Sequence, residues 1–167
     1  QITWDGSGIK GTRAVGIHWL DKVQGKYAPT SLELSNMDFV NGLDFGICGG
    51  TYAHEGTGSN DAEVLIKNCA FRGVLNSGVY INGYNALDYW IWNCSFSDCG
   101  TGVSCFLGNY HVYNSVFSNS RVTDLYNRDC FYTSVRGCRS ESSNQFSVDE
   151  GSSCNAFKRI FQDNFVR

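Results

Sequence analysis

The chain has 167 residues, with 13 Lys and Arg against 16 Asp and Glu, for a formal net charge of −3. This weak acidity argues against a nucleic-acid partner, because proteins that bind nucleic acids usually carry a basic surface. No apolar stretch approaches the roughly 18 residues that a membrane span requires, so we expect no membrane partner either.

The composition also favours an all-β chain. Gly accounts for 19 residues and Pro for one, while aromatic residues reach 14%. Many turn formers and few long helix formers are typical of a protein built from strands and turns. The opening QITWDGSGIKG lacks the charged start and the apolar run of a signal peptide. We therefore expect a mature chain or a piece of a longer one.

An Asn followed three residues later by Phe recurs along the chain. The copies are NMDF at 36–39, NCAF at 68–71, NCSF at 93–96 and NSVF at 114–117, with GCRS at 137–140 and QDNF at 162–165 as substituted copies. Their spacings are 32, 25, 21, 23 and 25 residues, and the longest contains an insertion near 49–61. The regular spacing predicts one coil of a β-solenoid per copy.

Two strands are predicted in each copy. A mostly branched apolar residue precedes each Asn by two positions, and a second strand follows a turn of small residues. The sequence therefore predicts an all-β fold, a single-stranded right-handed parallel β-helix of about five to seven coils, as one domain over residues 1–167. We expect either a whole helix or a fragment of a longer one. The competing interpretation is a β-sandwich with chance spacing, but no two-residue Asn-Gly hairpin loop links these strands.

The alignment of the copies predicts which side chains fill the core. One inward column holds Phe39, Phe71, Phe96, Phe117 and Phe165, beside Asn36, Asn68, Asn93 and Asn114. In the second strand the inward columns hold Leu43, Val79, Val103, Leu125 and Phe146, then Phe45, Ile81, Cys105 and Val148, with polar Asn127 as the exception. Asn at a sharp turn tolerates left-handed backbone, and stacked Asn side chains can bond one another.

Eight cysteines suggest an exported protein with some disulfides. A column directly after the Asn should face inward, where Cys acts as a small core residue. Its members are Met37, Cys69, Cys94, Ser115 and Cys138. The better disulfide candidates, Cys99, Cys130 and Cys154, fall in connecting loops. A zinc site built from thiolates is disfavoured, because no C-x-x-C pair exists.

The segment DYWIWNCSFSDCGTGV at 88–103 resembles the pectate-lyase superfamily of right-handed β-helices, which often shows a WIDHC-x-F-S strand and an acidic-Gly turn. The opening TWDGSGIKGTRAVGI is similar to the DG-x-G…GI entry of such helices. The positions near the family's calcium site hold Trp92 and Asn93. Thr101 stands where the family has the acidic residue of the turn. The motifs R-x-P-x-x-R, NTD, DD and GHG are missing. The resemblance thus implies a secreted or cell-surface protein with a uronide-rich or other polysaccharide as substrate, but not calcium-dependent pectate cleavage.

Acidic and basic side chains gather at the end of the second strand in two successive copies. Arg128, Asp129, Asp149 and Glu150 are the candidate catalytic residues, with Asp129 and Glu150 at matching positions. Two carboxylates about 5 Å apart suit a retaining glycosidase, and about 6.5–9.5 Å suits an inverting one. Alternatively, Arg128 or Tyr126 could remove a proton in a lyase. The competing interpretation is a solvated polar turn with ordinary ion pairs.

Outward aromatic side chains are the candidate sugar contacts, because exposed rings offer stacking platforms. The candidate substrate-binding residues are Tyr80, Asn82, Trp90, Trp92 and Tyr126. A loop or neighbouring domain that covers the tryptophans is an equal alternative. We interpret His111, beside this ladder, as a surface histidine without function. No cofactor is predicted, since Asp5, Glu55 and Asp61 lie in Gly-rich loops that could hold calcium but match no calcium motif.

These patterns predict a carbohydrate-active enzyme, a hydrolase or a lyase, that acts on an acidic or complex extracellular polysaccharide. The alternative is a non-catalytic glycan-binding adhesin or the shaft of a phage tailspike. A structural scaffold is a third interpretation, which the cluster of acids and aromatic residues disfavours.

Overall fold

A computed structural model describes residues 1–9, 14–19, 22–23, 26–27, 31–50, 63–130, 132–150 and 159–167. In those residues all regular secondary structure is β-strand, and the strands pair in parallel except for β3 (Lys22–Val23) with β4 (Lys26–Tyr27). The protein is therefore all-β with parallel sheets. Most of the insertion predicted near 49–61 lies outside the described residues, as do Glu55, Asp61 and Cys154.

A seven-stranded sheet contains the strand that follows each Asn of the repeat. Its strands, in spatial order, are β1 (Ile2–Asp5), β6 (Met37–Val40), β9 (Ala70–Arg72), β11 (Ser95–Ser97), β13 (Val116–Ser118), β16 (Arg139–Glu141) and β19 (Phe165–Val166). Each strand pairs in parallel with the corresponding strand of the next copy, as in Phe71 opposite Phe96. The predicted parallel pairing of successive copies is confirmed here.

A ten-stranded sheet contains the other strands of each copy. One path runs through β17 (Ser147–Glu150), β14 (Thr123–Arg128), β12 (Thr101–Tyr113), β10 (Ser77–Trp92), β7 (Phe45–Gly50) and β2 (Val15–Trp19). Strands β5 (Leu32–Ser35), β8 (Val64–Lys67), β15 (Thr133–Arg136) and β18 (Arg159–Gln162) pair with the later halves of β10 and β12 or with one another. The long strands β10 and β12 thus each carry two stretches with different partners and different outward faces.

Left-handed backbone marks the sharp turns on either side of the seven-stranded sheet. The Asn residues of the repeat have φ between 49° and 58°, namely Asn36, Asn68, Asn93 and Asn114. A second set lies five residues later, namely Asn41, Gly73, Asp98, Asn119 and Ser142. Asn, Asp and Gly tolerate this conformation best, which explains why these residue types recur. The predicted left-handed backbone is confirmed, but the prediction that these Asn side chains face inward is wrong, because all four are exposed.

The phenylalanines form a continuous stack through the core. Phe39, Phe71, Phe96 and Phe117 lie with neighbouring ring centroids 4.8–4.9 Å apart and ring planes within 8° of parallel. All four side chains are buried, as predicted. Phe165 was wrongly placed in this column, because it pairs with Arg139 and is 54% exposed. The last copy is shifted by one residue, since Asp163, at φ 56°, takes the place of the turn Asn.

A column of glycines accommodates the stacked rings from the opposite sheet. Gly16, Gly46, Gly78 and Gly102 occupy equivalent positions on β2, β7, β10 and β12. A Cβ added to any of them would lie 2.6–2.7 Å from an atom of the facing phenylalanine ring. That distance is well inside van der Waals contact, so the rings fill the space that the missing side chains leave.

The next copy replaces this Phe–Gly pairing with two polar residues. In the parallel pairing, Asp124 lies on the strand next to Gly102 at the equivalent position, and Ser140 lies opposite Phe117. Ser140 Oγ donates a hydrogen bond to Asp124 Oδ2, and both residues are buried. The pair keeps the same complementarity in another form, because the large ring is lost from one strand where a larger side chain appears on the other.

The register also corrects two inward columns of the second strand. Val79 lies opposite Ile47 rather than Leu43, and Leu125 lies opposite Ser147 rather than Phe146. The second inward column, which contains Ile81 and Asn127, continues through Gly49 and Asp149. Phe45 and Val148 therefore do not belong to it. The cause is the length of the connecting turn, which varies between copies and which spacing alone does not reveal.

The cysteine column after the turn Asn is buried, as predicted. Its thiols donate to backbone carbonyls, as Cys94 Sγ does to Trp92 O at 3.3 Å. Cys99 and Cys130, expected as disulfide candidates, are buried free thiols that donate to Phe71 O and Cys105 O. The disulfide expectation is wrong for these two residues, whose short loops turn inward.

Candidate functional site

An aromatic row crosses the outward face formed by β7, β10, β12 and β14. It consists of Phe45, Tyr80, Phe106 and Tyr126, with successive ring centroids 4.9, 5.3 and 5.3 Å apart. The rings line a groove of about 380 Å³ that Asn76, Thr101, Ser104 and Val122 also line. The row runs across the strands, so a linear ligand could contact several rings at once.

Buried, hydrogen-bonded polar side chains lie next to this aromatic groove. The hydroxyls of Ser77 and Ser104 lie 2.7 Å apart on neighbouring strands, and both residues are buried. Asn82, a predicted contact, is also buried, and its Nδ2 donates to the Tyr80 hydroxyl at 3.5 Å. Asn82 therefore positions Tyr80 and offers little surface to a ligand.

Tyr126 and Glu150 form the polar end of the aromatic groove. The Tyr126 hydroxyl donates to Glu150 Oε2. Burial, reinforced by this hydrogen bond and by the negative charge of Glu150, raises the pKa of Tyr126 to about 12. Tyr126 thus stays protonated near neutral pH, which makes it a donor rather than the proton-abstracting base that a lyase requires.

The four candidate catalytic residues lie at the ends of β14 and β17 or directly after β14, but they do not all share one face. Arg128, not Asp129, is opposite Glu150, so the predicted match between Asp129 and Glu150 is wrong by one residue. Asp149 lies opposite the buried Asn127. Because neighbouring residues of a strand alternate, Asp149 and Glu150 point to opposite sides of the sheet. The structure thus brings Arg128 and Glu150 together on the groove face and separates Asp149 from them.

A second aromatic surface lies on the later halves of β10 and β12. Trp90 stacks on His111 at 4.2 Å, and Trp92 packs against Tyr113 at 4.6 Å. Both predicted tryptophans face outward, and Trp92 is 39% exposed. They border an open depression of about 570 Å³ whose other lining residues include Leu32, Glu33 and Leu65.

His111 has partners on both sides, contrary to its interpretation as a surface histidine. Its Nε2 lies 3.3 Å from Asp88 Oδ1, and its Nδ1 lies 2.7 Å from Ser134 Oγ. Its side chain is only 13% exposed. Sequence reasoning missed this arrangement because the three residues come from three different copies of the repeat. Column alignment places Ser134 and His111 together, but it does not show that their side chains bond.

Phe45 and Phe106 were also missed as site residues. The sequence assigns no role to Phe106, and it assigns Phe45 to the core. Phe45 is indeed buried, yet its ring edge meets Tyr80 and lines the groove. The regular spacing of aromatic residues across four strands was the available signal for the row.

Within the described ranges, no group of three or more His, Cys, Asp or Glu side chains could hold a metal ion. Asp5, one of the calcium candidates, accepts a hydrogen bond from the Ser7 backbone at 2.9 Å, which lowers the pKa of its carboxyl. The Asp5 carboxylate thus stabilises the turn that follows β1.

No helix long and apolar enough to cross a membrane occurs in the part of the chain that the structure describes. No protein-family model, no curated protein and no solved structure matches the chain.

Proposed function

We propose that the chain forms a parallel β-helix of the pectate-lyase-like kind and binds an extracellular polysaccharide along the groove between Phe45 and Tyr126. The parallel, in-register pairing of successive copies supports the helix, since each copy contributes strands to both sheets. Repeats that pair only with their neighbours are the hallmark of solenoid proteins.

The aromatic row is the observation that carries the proposal of polysaccharide binding. Four rings follow one another at 4.9–5.3 Å across four strands. Aromatic side chains give a large contact area at low entropic cost, and the apolar faces of sugar rings match them. The Tyr126–Glu150 pair beside the rings supplies hydrogen-bonding groups for sugar hydroxyls.

Cleavage would be carried by Glu150 and Arg128 at the end of the groove. Glu150, held by Tyr126, is the candidate acid or base, and Arg128 opposite it matches the carboxylate of a uronic acid. Non-catalytic glycan binding is the second candidate, because Asp149 faces away from Glu150. A glycosidase needs a second carboxylate near Glu150, and Asp129 would have to supply it. The backbones of these two residues are neighbours, because the Asp129 N–H donates to Glu150 O at 3.3 Å.

Binding to a panel of acidic and neutral polysaccharides tests the proposal, with affinity electrophoresis as the measurement. We expect Y80A and Y126A each to weaken binding about 2- to 12-fold, as the loss of about 0.5–1.5 kcal/mol of ring contact would. F161A, which removes an exposed aromatic ring from β18, is the matched control and should bind normally. Binding unaffected by either tyrosine substitution would refute the groove as the site.

Product analysis separates cleavage from binding. We expect new reducing ends on incubation with a bound polysaccharide, with ultraviolet-absorbing unsaturated ends if the reaction is an elimination. Loss of both signals in E150Q with binding retained would support Glu150 as the catalytic group. Binding without any product would favour the non-catalytic alternative.

A further inference from the structure

Three consecutive parallel strands present a carboxylate, an imidazole and a hydroxyl in one connected line. Asp88 lies on β10, His111 on β12 and Ser134 on β15, and the register sets His111 directly opposite Ser134. The distances are 3.3 Å from Asp88 Oδ1 to His111 Nε2 and 2.7 Å from His111 Nδ1 to Ser134 Oγ. The contact between His111 and Ser134 is a hydrogen bond, and the contact between His111 and Asp88 is an ion-pair distance, so His111 lies between the other two side chains.

The two nitrogens of His111 contact chemically different partners. A carboxylate only accepts, so the proton of a neutral imidazole belongs on Nε2, which faces Asp88. Nδ1 is then an acceptor, and the Ser134 hydroxyl donates to it. This single tautomer places an unprotonated imidazole nitrogen against a hydroxyl, which is the arrangement that activates a serine nucleophile.

The surroundings of His111 suit the positive charge that it would acquire. Trp90 stacks on the imidazole at 4.2 Å, and the face of an indole attracts a cation. Asp88 adds a negative charge to the other side of the ring. The half-buried environment, with 31% of the Asp88 side chain and 13% of the His111 side chain exposed, reduces competition from water.

A small opening gives access to Ser134. It has a volume of about 180 Å³ and is lined by His111, Tyr113, Tyr132, Ser134, Arg136 and Ile160, among others. The depression is open to solvent, and its volume suits a short acyl group. Tyr113 lies with its hydroxyl 2.6 Å from Ser134 Oγ, close enough to donate to that oxygen or to the oxyanion on the carbon that Oγ attacks.

We propose that Ser134, His111 and Asp88 form a nucleophilic site that hydrolyses esters of short acyl groups. Ser134 Oγ attacks the ester carbonyl while its proton passes to His111 Nδ1. The ester C–O bond then breaks, and the leaving alcohol takes that proton. Water, activated in the same way by His111, hydrolyses the acyl-serine and releases the carboxylic acid. The site lies on the other outward face, so it does not rest on the proposed polysaccharide groove.

Covalent labelling of the unmodified protein tests the nucleophile directly. Incubation with a fluorophosphonate probe, followed by peptide mass spectrometry, should place the adduct on Ser134 and on no other described serine. Prior heat denaturation should abolish the label, because activation depends on the folded line of residues. A folded protein that acquires no adduct at Ser134 would overturn the proposal.

Hydrolysis of 4-nitrophenyl acetate measures the activity of the site. We expect S134A and H111Q each to lower kcat/KM by at least about 100-fold, in the range found for general-base and nucleophile substitutions. D88N should lower kcat with little change in KM, since Asp88 positions the imidazole and does not touch the ester. S118A, a half-buried serine on β13, is the matched control and should retain full activity.

Unchanged folding, checked by far-ultraviolet circular dichroism, is required of each variant. Equal hydrolysis by folded S134A and unmodified protein would refute the nucleophile. Equal hydrolysis in D88N would refute the positioning role of Asp88. Activity on 4-nitrophenyl butyrate should be lower than on the acetate, and an equal or higher rate on a long-chain ester would contradict the small acyl pocket.

Discussion

The core of the molecule has two regions that obey the same pairing rule with different chemistry. In one, four stacked phenylalanines face four glycines. In the other, one copy further along the chain, Ser140 and Asp124 occupy the same two columns and bond to each other. The strands pair in the same parallel register in both regions.

The two regions share the parallel register but differ in the side chains at the two facing positions. The parallel register is kept because backbone hydrogen bonds do not depend on the side chains. The pair of facing positions is constrained only in total volume and in the satisfaction of polar groups. Four sets of substitutions test whether both regions obey the same constraint on volume and polar partners.

The largest expected effect comes from F96A, in the middle of the stack. Phe96 is buried between Phe71 and Phe117, so its loss leaves a cavity opposite Gly78. We expect a loss of about 3–5 kcal/mol in the free energy of unfolding, measured by urea denaturation. V116A, on the same sheet but 42% exposed, should change it by less than about 0.5 kcal/mol. Similar losses in both variants would contradict the role of the stack.

The glycine side of the pair should respond to a single added methyl group. In G78A the new Cβ would lie 2.7 Å from Phe96 Cδ1 and 2.9 Å from Gly102 O. We expect a destabilisation of about 1–3 kcal/mol in the same assay. G8A is the control, since nothing lies within 4 Å of its Cβ position. A G78A protein as stable as G8A would show that the core can expand at no cost.

Converting the polar pair into the apolar pair tests whether the two columns are complementary. S140F should clash with Asp124, and D124G should leave a void beside Ser140. The double substitution restores the pairing that the four earlier copies use. We expect it to be more stable than the sum of the single changes by about 0.5–3 kcal/mol in a double-mutant cycle. Additive effects would mean that the two positions are independent.

The smallest effect is a pH dependence that the apolar region lacks. Burial raises the pKa of Asp124 from the ordinary value of 3.8, partly opposed by hydrogen bonds from neighbouring serines. The folded state therefore holds this proton more tightly than the unfolded state does, and stability falls as the pH rises from 3.8 through the folded-state pKa. D124N should remove that part of the slope when unfolding is measured across the acidic range. An identical slope in D124N would assign the dependence to other carboxyls.

The candidate sites were only partly predictable. Tyr80 and Tyr126 follow from column alignment, because a one-residue alternation decides which side chains face out. The Tyr126–Glu150 bond was not predictable, since the length of the turn before β17 shifts the register by one residue. The line from Asp88 to Ser134 depends on side-chain rotamers on three strands, and sequence spacing carries no information on rotamers.

The sequence alone determined that the chain is all-β with parallel pairing of its repeats, that Phe39, Phe71, Phe96 and Phe117 share one core column, and that each repeat Asn turns the backbone. These features repeat at every copy, so period and residue type suffice to reveal them. The register of the irregular copies, the burial of Cys99 and Cys130, and the polar contacts across strands become visible only in the folded structure. Those features depend on turn lengths and on side-chain packing between residues about 20 or more positions apart, where a one-residue shift moves a side chain from one face of a strand to the other.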